Sequence, residues 1–464
     1  MSMPTGSINY PRPPIVSMPL RQRLEGFRQY HRGAEMFRDA VGPVATVRVA
    51  PAWMMAPTVW VSSPQGAHDV LGARRGAVDK VAPTHVQARK VLGPNLFDLD
   101  DRAWLPRRRA IQPVFTKQGV RNYAGEMSGA AMTEITKWGT AAEVDLDHVS
   151  RMITIDALAR SVLGAGLDEP DEVGREVRTL ITMVADRSTR PLNPPYWLPT
   201  PANRRAHAAA ERLRGRARAI VQRCRDHPDT GACLVHALLD ARDPATGRPL
   251  DDDTIVDELV IFIGAGHETT ATTLAYALWQ LGRHQDFQDR VRQEASGIGG
   301  GVPTPDDLGA LSYTTQVVHE ALRLFPPAPA LARMVTQDLV VDGFQVSAGH
   351  IAIVGVYALQ RDTDLWPDPL TFDPDRFEPT AMKSIDRWSY LPFGAGRRSC
   401  IGDHFAMLEA VLALATIIRE VHVESRSEEF PMALPFTAVA AEPVIAEVTA
   451  RPDRGRAGAT AVRG

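Results

Sequence analysis

The stretch DELVIFIGAGHETTATTLAYALWQLGRH, from Asp257 to His284, constrains this chain most. It is apolar nearly all round, so as a helix it offers water no face and must run through the centre of a large protein. A chain of 464 residues, 44% of them hydrophobic, is long enough to wrap such an element. Thr254 followed by Asp257 predicts the helix start. The middle is a poor helix, since Gly264 and Gly266 each cost roughly 1 kcal/mol against alanine and threonines crowd beside them. Glu268 and Thr269 sit at that weak point. The plain reading is a kinked helix and nothing more. Against it, a buried acid without a partner is uncommon, and two polar groups stand together where the backbone can open.

Strand-like alternation appears early in ATVRVA and PTVWVSS, in the middle in DLVVDGFQVSAGHIAIVGVYAL, and late in PVIAEVTAR. Within the middle segment Asp342-Gly343 predicts a two-residue hairpin turn. Most of the remainder has helical composition. Because the β segments come from both ends and the middle, they are expected to assemble with one another. The expected fold is therefore mainly α with a small β region, in one domain over residues 1–464. Residues 1–20 form a proline-rich amino-terminal segment and 452–464 a frayed tail. The proline-rich stretch from Arg190 to Arg205 must be an irregular connection between helices.

Several classes are excluded. A net charge of -3 argues against a nucleic-acid binder. Cys224, Cys233 and Cys400 are odd in number and widely spaced, so neither a disulfide framework nor a zinc cluster is indicated. No apolar run reaches the ~20 residues that span a bilayer, and the first residues hold no apolar signal core. A cytoplasmic protein without a membrane anchor is the expectation.

The segment FGAGRRSCIG, residues 393–402, holds one of the three cysteines. A lone cysteine is most often a small buried hydrophobe. Here Gly394 and Gly396 allow a tight turn, and Phe405, Leu408, Leu412 and Ala415 mark one face of a following helix. At the amino end of that helix a thiolate is favoured over a thiol. His404, the only local base, points away, so a ligand role fits better than a nucleophile. Arg397 and Arg398 could neutralise carboxylates of a cofactor.

Phe393, Gly396, Arg398, Cys400 and Gly402 match the F-x-x-G-x-R-x-C-x-G loop, and on this ground the chain resembles the cytochrome P-450 family. The resemblance implies haem b, with Cys400 as the axial ligand of its iron, Phe393 packed on the thiolate side and Arg398 on a propionate. It extends to four further motifs in the family's order. Ala265, Gly266, Glu268 and Thr269 match A-G-x-[DE]-T, whose acid–alcohol pair binds O2 and relays protons for its cleavage. That pair favours dioxygen plus electrons over peroxide. Glu320 and Arg323, with Arg376, match a buried structural network; alone, the first two would read as a surface i,i+3 ion pair. Trp104 and Arg108 match W-x-x-x-R, and Arg333 a further arginine, all assigned to the propionates; many members carry His where Trp104 stands.

The implied activity is a monooxygenase that inserts one oxygen atom from O2 into a hydrophobic molecule of terpenoid, steroid, fatty-acid or polyketide class. By position, the substrate pocket involves Phe262, Ala265, Ala328, Ala330, Leu331, Pro435 and Phe436. The prolines from Pro191 to Pro201 form its lid, and the Leu96–Leu99 loop is a variable wall. Electrons are expected from a separate ferredoxin- or flavodoxin-type protein with its reductase, since no flavin or iron–sulfur segment is seen. Arg107, Arg109 and Arg397 read either as simple surface charge or as a basic patch for that donor. The rival readings are a peroxygenase or ring-coupling enzyme on the same fold, or a haem- or ligand-binding protein without catalysis.

Overall fold

A computed structural model describes residues 10–51, 53–163, 170–190, 193–227, 234–299, 303–434 and 436–451. Cys233, Pro435, Pro191, the whole 452–464 tail and the first nine residues of the 1–20 segment lie outside the described residues.

The apolar stretch forms a 32-residue helix, Asp252–Arg283, about which the largest hydrophobic cluster is built. It starts earlier than Thr254, because Asp251 is the cap: its carboxylate accepts the Thr254 N–H at 2.7 Å. The helices Leu146–Leu163 and Asp403–Glu420 pack along it. No opening of its backbone is seen at the glycines. Gly266 instead permits close packing, since a Cβ there would stand 3.3 Å from Leu158 Cδ1. The nearby hydroxyls bond back one turn, Thr269 Oγ1 to Ala265 O at 2.7 Å and Thr273 Oγ1 to Thr269 O at 3.0 Å.

The β segments form two main sheets, not one. Val44–Val47, Thr58–Val61, Ile351–Val354, Leu331–Val335 and Val78–Asp79 make a five-stranded sheet in that order. Thr58 aligns in parallel with Ile351, so the early and middle segments do join. The late segment, Ile445–Ala450, pairs with Ala141–Asp145 and Val421–Ser425. The strand Val421–Ser425 follows directly on the helix Asp403–Glu420, which delivers an antiparallel partner to it. The Asp342-Gly343 turn is as expected: both residues have positive φ, 46° and 79°, between Leu339–Val341 and Phe344–Val346. Residues 193–200 are irregular between the helices Pro170–Thr189 and Pro201–Asp226. Cys224 is a buried core residue of the second of these.

Candidate active site

Two glycines shape the cysteine loop. Gly394 has φ +66° and Gly396 φ +71°, which side chains rarely adopt. A Cβ on Gly396 would stand 2.0 Å from the Leu71 carbonyl oxygen, so only glycine fits. The turn closes with the Cys400 N–H donating to Phe393 O at 2.9 Å, and Gly402 then caps the helix Asp403–Glu420.

The surface that Cys400 exposes faces a cavity of ≈ 570 Å3. Burial pushes its thiol up, and Asp403 adds to this; the Gly402 N–H, Arg108 and Lys80 pull it down without prevailing. The helix end alone therefore does not make a thiolate. Ligation to a metal cation would, since a coordinating thiol loses its proton outright.

The loop residues Pro392, Phe393, Gly394, Cys400, Ile401 and Gly402 line one side of this cavity, and Ala265, Gly266, Glu268 and Thr269 of the central helix also line it. Of the seven residues expected at the substrate pocket, the six that are described, Phe262, Ala265, Ala328, Ala330, Leu331 and Phe436, line the same space. So does Phe97 of the 96–99 loop, whereas none of residues 193–200 does.

Cations gather at the cavity as well. Arg333, Arg398 and Lys80 line it with His85, Arg28 lies at its boundary, and among the described residues Glu268 is the only carboxylate in its lining. Arg398 is held by Asp101, at 3.0 Å, and Asp79, at 3.2 Å, while its Nη1 is buried without a partner. Among the described residues no carboxylate pairs with Lys80 or Arg333, and His85 Nδ1 is also unpartnered. Burial, reinforced by neighbouring Arg398, pulls Arg333 down to about 10. Burial and the Arg333 and Arg398 charges lower Lys80 strongly. Such a cluster needs anions.

Trp104 and Arg108 stand behind the loop instead of lining the cavity. The Trp104 ring lies 4.2 Å from the Arg398 guanidinium, and Arg108 Nη1 donates to Ser399 O at 3.3 Å. Their contacts brace the cysteine loop and its arginine. Lys80 and His85, which the sequence did not single out, take the cavity positions.

Glu268 is buried, its Oε2 accepting the Thr437 hydroxyl at 2.7 Å and its Oε1 lying 3.6 Å from Arg151 Nη1. Arg151 is held in turn by Asp147, one turn earlier on its own helix, at 2.8 and 3.0 Å. The acid is thus tied to two elements distant in sequence, and neither partner was expected.

Glu320 and Arg323 form a fully buried fork, with Nε–Oε2 at 2.6 Å and Nη2–Oε1 at 2.7 Å; Arg376 joins at 3.6 Å. Arg323 also donates to the carbonyls of Gln360, Pro369 and Thr371. Gln360 carries the network to the cysteine loop, because its Oε1 accepts the Leu391 N–H at 2.9 Å.

The three arginines of the expected basic patch are all ion-paired. Arg107 pairs with buried Glu258 at 3.0 Å, Arg109 with Asp243 at 3.0 Å, and Arg397 with Asp101 at 3.0 Å. These arginines tie distant segments together, while the Arg109 and Arg397 side chains stay partly exposed.

The residues present fit haem. The cavity has a cysteine sulfur on one wall, a glycine-bearing helix in another, and buried cations with an unpartnered guanidinium nitrogen suited to two propionates. Comparison with known proteins agrees. The Cytochrome P450 family profile matches residues 10–449. Cyclooctat-9-en-7-ol 5-monooxygenase of Streptomyces melanosporofaciens is 35% identical over 71% of this chain and 73% of its own. Cyclooctatin synthase of the same organism is 33% identical over 82% of each chain. Pentalenene oxygenase of Streptomyces avermitilis is 29% identical over 85% of this chain and 88% of its own. No helix among the described residues is long and apolar enough to cross a membrane. With the α-rich architecture, the cysteine loop and the family-wide match together, this chain belongs to the cytochrome P450 family of haem-thiolate monooxygenases.

Proposed function

We propose that this monooxygenase hydroxylates a cyclic terpenoid, a hydrocarbon or its alcohol, using haem b on Cys400 and electrons from a separate ferredoxin- or flavodoxin-type protein. The observation that carries the substrate class is the cavity. Besides the cations, its lining is mostly apolar, with Phe97, Phe115, Phe262, Leu158, Val177 and Phe436 among many such side chains, and Glu268 is its one acid among the described residues. Such a lining takes a bulky apolar body and penalises a charged one. The terpenoid names of the relatives support this reading.

Bound haem supplies the iron that activates dioxygen. The protein's own part lies in the groups around it. Cys400 provides the sulfur ligand, and Arg398, Arg333 and Lys80 take the propionates. The apolar wall orients the substrate by shape and excludes water. Glu268 and Thr269 are the proton-handling pair. The Thr437 hydroxyl and Arg151 fix the Glu268 carboxylate in place, and the Thr269 hydroxyl sits on the cavity wall one residue away, parked on Ala265 O. Releasing that one bond frees it to pass a proton.

The test is product analysis with a panel of cyclic diterpenes and sesquiterpenes, a surrogate electron donor and isotopically labelled O2. Expected is a hydroxylated terpenoid carrying one labelled atom. Thr269→Ala should lower product formed per electron consumed. Product formed from peroxide alone, with Thr269→Ala indifferent, would instead assign a peroxygenase.

A further inference from the structure

A second cavity of ≈ 600 Å3 adjoins the first, and Arg28 and Leu434 line both. Its floor is aromatic. Tyr276 stacks on Phe325 at 5.0 Å, and Phe430 meets Tyr276, Trp279 and Phe325 edge-on at 5.2, 5.8 and 4.8 Å. Phe430 packs on the other rings at steep angles, so what they offer the cavity is an apolar floor of ring edges, against which a hydrophobic body can pack.

Its wall is cationic. The half-buried Arg361 lies over the Tyr357 ring at 4.1 Å and donates to Leu324 O, but its Nε is buried with no partner. His31 lines the same space with Nδ1 likewise buried and unpartnered. Burial and the Arg32 and Arg361 charges hold that imidazole neutral, with a pKa of about 4. Arg28 and Arg32 are exposed at the mouth. Among the described residues none of the three arginines makes an ion pair. Burial raises Glu35 against the opposing charges of Arg361, Arg38 and Arg32, and Glu428 and Glu429, which also line the cavity, are exposed to solvent. A guanidinium drawn from water without a carboxylate is costly unless an anion comes to it.

We propose that this cavity is a second ligand site, distinct from the substrate cavity, for an amphipathic organic anion: an aromatic or polycyclic body lying on Tyr276, Phe325 and Phe430, with a single carboxylate or sulfonate on Arg361, Arg32 and His31. Neither the haem site nor the substrate reading uses these residues. Its shared boundary at Leu434 places an occupant two residues from Phe436, which lines the substrate cavity.

The experiment is calorimetric titration of the haem-loaded protein with anilinonaphthalene sulfonate. Phenylimidazole bound on the haem iron fills the main cavity in a parallel series. Expected is saturable one-site binding, changed less than about twofold by phenylimidazole and weakened about tenfold in Arg32→Glu and in Arg361→Lys, which removes the guanidinium fork but keeps the charge. Uncharged anilinonaphthalene should bind about tenfold more weakly than the sulfonate. Arg32 is exposed and unpaired, so its substitution leaves the fold intact and isolates the charge. Absence of binding, displacement by phenylimidazole, or wild-type affinity in Arg32→Glu would overturn the proposal.

Discussion

Gly394→Ala and Gly396→Ala place the same methyl group two residues apart at nearly the same φ, +66° and +71°, so a purely conformational cost is shared. For an L-residue that cost is roughly 1–2 kcal/mol. Space separates them. At 394 the new Cβ meets only Leu331 Cδ1, at an ordinary 3.4 Å; at 396 it falls 2.0 Å from Leu71 O, a backbone atom that cannot turn aside. One of two backbone segments must then move by about 1 Å, at a cost of several kcal/mol beyond the shared one. The displaced loop would also strain the Cys400 N–H bond to Phe393 O, so damage should reach the metal site. We expect chemical denaturation to show Gly394→Ala down by about 1–2 kcal/mol and Gly396→Ala by at least about 4. The second variant should also bind haem poorly. Equal losses in the two variants, or full haem content in Gly396→Ala, would refute the steric reasoning.

Other perturbations test other parts. Glu320→Ala strands Arg323 in the core and should cost about 3–5 kcal/mol in denaturant unfolding, where a surface pair would cost under about 1. Replacing Lys80 and Arg333 by Met removes two cavity cations that have no carboxylate partner among the described residues and leaves Arg398. Haem transfer to apomyoglobin should accelerate at least about tenfold, and an unchanged rate would remove both from the propionate site. Burial, followed by the Arg151 charge, lowers His267 from 6.5 to about 4, so the unfolded chain takes up a proton there that the folded one refuses. The stability this contributes is present above pH 6.5 and lost as pH falls toward 4, and His267→Gln should flatten that slope in denaturation measured across the range.

The parts of the site legible in the sequence are those whose residues are close neighbours in the chain. The cysteine loop states its own geometry, because glycines at positive φ and a cysteine before a helix face are local facts. Glu320 and Arg323 sit one turn apart, and Glu268 with Thr269 interrupt an apolar run. What escaped was set by distant pairing. Arg107, Arg109 and Arg397 looked like free charge because their acids lie 151, 134 and 296 residues away. Lys80, His85, Gln360 and Thr437 are residue types common on surfaces, and no periodicity marks them. Only the tertiary fold brings them inward. The expected break in the central helix failed for a related reason: Gly266 answers to Leu158 on a neighbouring helix, and the threonines satisfy themselves on carbonyls of their own helix. The late strand was expected to join the early and middle ones, and no sequence signal marked Ala141–Asp145 and Val421–Ser425 as its partners.

The central claim is that Cys400 holds haem iron as a thiolate although burial opposes its ionisation. The most direct measurement is the absorbance spectrum of the reduced, carbon-monoxide-bound protein, wild type beside Cys400→His. A strongly red-shifted Soret band in the wild type, lost in the variant while haem is retained, is the predicted result. Folded, haem-replete wild type without that band would contradict the ligand assignment, and the oxygen-insertion chemistry with it.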